Sequence, residues 1–161
     1  MVDSTPLIYL NKVGLSWIFQ EMKTIIYTVY NEVVVKGKEI GEPDALITEK
    51  LINKKIIEVK KVKNGLKKQL EKIKELERGE IETLCLAKEE NATAIIDEHL
   101  AREIGKIFDI KVHGTFYLIF LMCLKKKLTK KQAKEKIENM IELGWRIETE
   151  KYLEFVRLLN N

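Results

Sequence analysis

Short runs of β-prone, mostly apolar residues alternate with longer stretches of helical periodicity along this chain. The short runs are Thr24-Ile25-Ile26-Tyr27, Ile56-Ile57-Glu58-Val59, Ala94-Ile95-Ile96 and Ile110-Lys111-Val112. A run that is short and continuously apolar suits a strand covered on both faces, the usual setting of a parallel strand. Parallel neighbours need crossover connections, and the intervening helical stretches supply them. The pattern predicts an α/β chain: a short parallel sheet flanked by helices on both faces, in three layers.

The helical stretches carry their own punctuation. Ser4-Thr5-Pro6 reads as a helix start, with a hydroxyl cap and Pro at the first helical position. Leu7, Ile8, Leu10, Leu15 and Ile18 form its apolar face, interrupted near Gly14. Val2-Asp3 before it is a very short first strand. A helix from Thr28 to about Lys36 is expected to stop at Gly37, and Glu42-Pro43-Asp44 opens another through about Asn53. Asn64-Gly65 precedes a basic amphipathic helix, Leu66 to Leu76. Arg78-Gly79-Glu80 reads as a break ahead of a buried helix, Glu82 to Glu90. Further helices are expected over Leu100 to Phe108, Phe116 to Leu124, Thr129 to about Leu143 and Thr149 onward.

Composition excludes several classes. Two Cys and two His in 161 residues do not make a disulfide scaffold or a Zn site of the usual kind. The longest apolar run, Phe116 to Leu124, is far short of the roughly 20 residues of a membrane span. MVDSTPLIYL has no basic leader segment, so the expected location is the cytoplasm, with no membrane partner. The length suits one domain, residues 1–161. The net charge of +4 is unevenly divided. Residues 50–75 hold ten Lys against three Glu, and residues 125–136 hold seven Lys against one Glu, which leaves −9 for the remainder. Basic segments suit a phosphate-bearing partner; a Lys-rich solvated surface is the other reading.

Acids fall where an α/β sheet binds ligands, just beyond the carboxyl ends of its strands. Asp3 follows the first strand, and Asp97 with Glu98 follows Ala94-Ile95-Ile96. Glu32 borders an apolar face between Val29 and Val33. Glu80 and Glu82 open a buried helix, where the helix dipole alone favours a negative side chain. Converging carboxylates repel one another and need protons or cations to compensate. Mg²⁺ or Mn²⁺ suits an all-oxygen set, and one or two such ions support phosphodiester hydrolysis.

Four segments in this order resemble the motifs of the PIN domain (PilT N-terminus-like). They are Val2-Asp3-Ser4-Thr5-Pro6-Leu7-Ile8; Val29-Tyr30-Asn31-Glu32-Val33-Val34; Arg78-Gly79-Glu80-Ile81-Glu82-Thr83-Leu84-Cys85-Leu86-Ala87; and Ala94-Ile95-Ile96-Asp97-Glu98-His99-Leu100-Ala101-Arg102. The tail from Leu143-Gly144-Trp145-Arg146-Ile147 through Leu158 resembles a prokaryotic branch of the family related to VapC toxins, with the helices of about 129–161 as a branch-specific extension. The resemblance implies a single-stranded-RNA endonuclease using Mg²⁺ or Mn²⁺, with an antitoxin protein as partner and homodimers as the common state. By position, Asp3, Glu32, Glu82 and Asp97 are the implied acids, with Ser4 adding a hydroxyl contact beside Asp3. Glu80 stands as an alternative to Glu82, and Glu98 replaces or assists Asp97. Against the family pattern, the first strand is short, no Pro opens the second helix, and Glu82 replaces the more usual Asp.

Other residues have narrower readings. His99 follows the acidic pair, either as an exposed helix start or as a phosphate or metal contact. Lys67 and Lys68, on the basic helix, and Lys125, Lys126 and Lys127, ending an apolar helix, are candidate RNA-backbone contacts. Cys85, Cys123, Trp17 and Trp145 read as core packing. A non-catalytic RNA- or protein-binding module is the competing function. A receiver-like signalling domain also places acids at strand ends, but it wants a Lys after a later strand, and Lys125 follows a helix.

Overall fold

The computed structural model describes residues 1–22, 24–26 and 29–160. Tyr27, the expected end of a strand, and Thr28, the expected start of a helix, lie outside the described residues. The described strands form two parallel pairs. β1 (Thr24–Ile26) pairs with β2 (Ile57–Val59), with Thr24 opposite Ile57. β3 (Ala94–Ile95) pairs with β4 (Val112–His113), with Ala94 opposite Val112. Val2 forms an isolated parallel bridge to Ile95. There the Asp3 N–H donates to the Ile95 carbonyl at 3.0 Å, and the Ile95 N–H donates to the Met1 carbonyl at 2.8 Å.

Side-chain alternation on β3 separates two cores. Ile95 and Val2 join Leu7, Leu10, Phe19, Leu118 and Met140 in one. Ala94 and Ile96 join Leu84, Leu86, Ala101 and Ile110 in the other. Successive strand residues point to opposite faces, so the sheet is covered on both sides. The first core receives α1 (Ser4–Lys12), α7 (Thr115–Leu124) and α8 (Lys130–Glu142). The second receives α5 (Arg78–Glu89) and α6 (His99–Ile107). This is the three-layer α/β arrangement that the alternating pattern predicts. The largest buried side chains contribute about 1.5–3 kcal/mol each to its stability.

The helices differ from expectation at several ends, each for a local reason. Asp3, rather than Ser4, occupies the N-cap position of α1, and its side chain makes no capping hydrogen bond. The Ser4 hydroxyl is used elsewhere, so the expected hydroxyl cap is absent. Gly37 does not stop its helix. Tyr30–Lys36 is wound as a π-helix and continues into α2 (Gly37–Glu39). A Cβ on Gly37 would lie 2.9 Å from the Ala45 Cβ, so this glycine serves the close approach of α3 (Pro43–Asn53). The chain turns instead at Gly41, whose φ of +79° suits glycine. The basic helix α4 (Asn64–Leu70) ends earlier than expected, and the turns after it seat Leu76 in the second core.

The largest difference is at residues 78–80, which form the first turn of α5 rather than a break. Glu77 and Glu80 close a capping box there, the Glu80 Oε2 accepting from the Glu77 N–H at 2.8 Å. By contrast, Thr129 caps α8 as its sequence predicts, accepting from the Gln132 N–H at 3.2 Å. The last helix, α9, spans Thr149–Asn160. No helix among the described residues is long and apolar enough to cross a membrane.

Candidate acidic site

The acidic site is assembled around Asp3. Its backbone is tied to β3, and its side chain is 7% exposed at the head of α1. Its Oδ1 is buried with no hydrogen-bond partner. Burial is the main force raising its pKa from 3.8 to about 7, with further increments from the charges of Glu80, Glu32 and Asp97 and an opposing hydrogen bond from the Ser4 backbone. Desolvation disfavours the carboxylate, so the proton stays to near-neutral pH.

Glu32 reaches the same place from the π-helical segment, a rare winding that recurs at functional sites. The Ser4 hydroxyl donates to its Oε2 at 3.0 Å. Ser4 therefore contacts Glu32, steadying the neighbour of Asp3. Gly79 makes the convergence possible. A Cβ there would lie 3.1 Å from Asp3 Oδ1 and 3.3 Å from Glu32 Oε2. Glycine in the first turn of α5 is thus the floor on which two carboxyl groups meet.

Glu80 and Glu82 part company. Glu80 is buried, holds the capping box and contributes to raising Asp3; burial is also the first cause of its own raised pKa. Glu82, expected among the metal-binding acids, has one oxygen engaged by cations, while its Oε2 is buried with no hydrogen-bond partner. Its Oε1 accepts from Lys67 Nζ at 2.8 Å and from Arg78 Nε at 3.2 Å. One helical residue apart is about 100° of rotation, while two apart is about 200°, so the two glutamates face different surroundings.

Asp97 is positioned by three donors. Its Oδ1 accepts from the Thr115 N–H at 2.7 Å, and its Oδ2 accepts from the Thr115 hydroxyl at 2.7 Å and from Trp145 Nε1 at 2.9 Å. The Arg102 guanidinium donates to the Asp97 backbone carbonyl. Gly114 provides the clearance, since a Cβ there would lie 3.0 Å from Asp97 Oδ1. Trp145 is 4% exposed and packs in the core, as expected, but it also orients this acid. Nothing local announces that contact, which spans 48 residues. Gly114 and Thr115 likewise carry no local sign of their contact with Asp97, and Gly79, which reads in sequence as a break, serves the approach of Asp3 and Glu32.

Glu98 and His99 are exposed at the start of α6, and Glu98 contributes to raising Glu80. Among the candidate RNA contacts, Lys67 is paired with Glu82 and Lys127 with Glu21. Lys68, Lys125 and Lys126 are exposed. Cys85 is buried in α5, and burial pushes its thiol up to about 11, the chemistry of packing rather than of a nucleophile.

Among the described residues, no group of three or more His, Cys, Asp or Glu side chains is placed to hold a metal ion. The donor chemistry nevertheless fits a hard cation. Mg²⁺ keeps several waters and needs only one or two carboxylates, and Asp3 offers a buried oxygen without a partner beside Glu32.

The three-layer α/β fold places Asp3 and Asp97 just beyond parallel strands, where such sheets bind ligands. A family model described as a PIN domain matches residues 1–161, and the chain belongs to that family. PIN domains are generally nucleases and typically use divalent metals. No curated protein and no solved structure matches the chain.

Proposed function

We propose that the protein is a Mg²⁺- or Mn²⁺-dependent endonuclease of single-stranded RNA, acting at Asp3, Glu32 and Asp97, with Glu80 rather than Glu82 as the fourth acid. The observation that carries this reading is the buried, unpartnered Oδ1 of Asp3 facing Glu32 across Gly79. An orphaned carboxylate oxygen is costly, and Asp3, with the charges of Glu80, Glu32 and Asp97 acting on it, gains most from a cation.

Asp3 and Glu32 are the residues that would hold the ion, with Asp97 facing them from the neighbouring strand. The chemistry supplied by such an ion, when bound, is activation of a water and neutralisation of charge on the leaving oxygen. The chain's own part is to prepare the ligands. Ser4 orients Glu32; Thr115 and Trp145 hold both oxygens of Asp97; burial raises the Asp3 pKa to about 7, and its proton is the one a bound cation would replace. The exposed Lys68, Lys125 and Lys126 are surfaces for the RNA backbone. An antitoxin partner, a homodimer and action in the cytoplasm belong to this proposal on the resemblance of the tail, Leu143 through Leu158, to the VapC-related branch.

The test is cleavage of single-stranded RNA with Mn²⁺, compared with Asp3→Asn and Asp97→Asn. Cleavage that needs the ion and drops at least a hundredfold in both variants, about 2.7 kcal/mol of barrier, supports the reading. Undiminished cleavage in excess EDTA overturns it. RNA binding without turnover under any metal establishes the non-catalytic module in its place.

A further inference from the structure

Asp97 borders a second feature, a groove of about 700 Å³ between α6, α7, the α8–α9 connection and α9. Its walls are unusually rich in flat rings. His113 and Tyr117 stack with centroids 4.0 Å apart and planes 10° from parallel. Both line the groove, and both side chains keep solvent exposure, 38% for Tyr117. Behind them, Phe116 packs edge-on to Trp145 at 5.2 Å and stacks on Phe155 at 4.8 Å. Trp145 and Phe155 are buried, so the floor is rigid.

Charge narrows the occupant. Four cationic side chains, Arg146 and Lys151 among them, line the groove against four acidic ones. That balance does not make a phosphate trap. It suits a neutral, planar group whose edges form hydrogen bonds. Base–aromatic stacking is the recognised way for proteins to hold single-stranded nucleic acid. Asp97 is shared between this groove and the acidic site, so a base seated here leaves its own sugar and phosphate beside the carboxylates.

We propose that the groove is a nucleobase subsite, seating one base of the single-stranded substrate on the His113–Tyr117 stack next to Asp97. This rests on the nuclease reading above and adds to it the part of the substrate that is gripped.

The experiment separates grip from chemistry. Binding of a fluorescein-labelled single-stranded RNA hexamer to the full chain is followed by anisotropy in excess EDTA, where a metal-dependent nuclease is silent. A ribose-phosphate hexamer lacking bases is run alongside. Wild type is expected to bind the RNA about tenfold more tightly than the abasic chain, the scale of one stacked base. Tyr117→Ala removes that preference and Tyr117→Phe, which keeps the ring, retains it. His113→Ala gives the same loss from the other ring, and circular dichroism reports the fold of each. Equal affinity for the two hexamers overturns the subsite, as does Tyr117→Ala binding RNA like wild type, or no binding by wild type. Cleavage of the same RNA with Mn²⁺ is scored separately. Base-dependent binding without cleavage keeps the subsite and removes the nuclease reading; cleavage without base dependence does the reverse.

Discussion

Trp145 Nε1 donates a 2.9 Å hydrogen bond to Asp97 Oδ2, joining the connection before α9 to the end of β3. Such a donor fixes the orientation of the Asp97 carboxyl group. Trp145→Phe keeps most of the packing and removes the donor. A hydrogen bond to a charged group is worth about 1.5–3 kcal/mol. Denaturant unfolding is expected to show a loss of that size. The cleavage rate is expected to fall about tenfold, with a higher Mn²⁺ concentration needed for half-maximal rate. An unchanged Mn²⁺ dependence assigns Trp145 to packing alone.

Gly79→Ala sets two effects against each other. Ala is favoured over Gly in a helix, by less in the first turn than the roughly 1 kcal/mol of a helix interior. Its methyl would meet Asp3 Oδ1 at 3.1 Å and Glu32 Oε2 at 3.3 Å, forcing flexible carboxyl groups to give way. Stability is therefore expected to change little, while Mn²⁺ binding measured by calorimetry weakens. Tighter binding in the variant contradicts the convergence of Asp3 and Glu32 on this glycine.

Asp3 gives the metal-free protein a pH dependence. Its pKa is raised from 3.8 to about 7 on folding, so the folded state holds more protons in that window. The stability tied to the protonated group is complete below 3.8 and is lost as pH rises through about 7, at about 1.4 kcal/mol for each pH unit crossed. Asp3→Asn has no such proton. In EDTA, the variant is expected to gain on wild type steadily from about pH 4 to about pH 7. A constant gap across that range removes the raised pKa. Glu80, raised in the same direction, adds to the slope seen in both proteins.

Glu82 belongs to an ion pair. Its side chain is 1% exposed and that of Lys67 is 19% exposed. Removing one member of a buried pair costs about 3–5 kcal/mol. Lys67→Ala is expected to lie at the lower end, because Arg78 remains on the same oxygen, and Glu82→Gln in that background is expected to restore stability. Glu82→Gln alone is expected to leave Mn²⁺ affinity unchanged, whereas Glu80→Gln weakens it. The reverse order returns Glu82 to the acidic site.

The layers were legible because the short runs Ala94-Ile95-Ile96 and Ile110-Lys111-Val112 carry the parallel-sheet signature directly, and Thr129 stands where a helix cap belongs. Arg78-Gly79-Glu80 was misread because glycine signals a break when viewed alone. The Glu77–Glu80 spacing that opens the helix has Glu where a shorter cap residue is usual. Gly37 misled for the same reason, its value being the approach of Ala45. Asp3 and Asp97 could be placed by strand position. The pairing of Glu82 with Lys67 could not, since it depends on where Lys67 lies in space. The contacts of Ser4 with Glu32 and of Trp145 with Asp97 are purely tertiary.

The hydrogen bond from the Asp3 N–H to the Ile95 carbonyl sets the gauge of the site. Neighbouring strands run about 4.8 Å apart, so the two acids that leave them are spaced by the main chain before any side chain is chosen. Substitutions in the surrounding helices can retune charge, protonation and reach, but the span between the two anchor points is inherited from the sheet. Variants of this chain can therefore lose or recover acidity at Glu32 or Glu80 while the frame between Asp3 and Asp97 keeps its width.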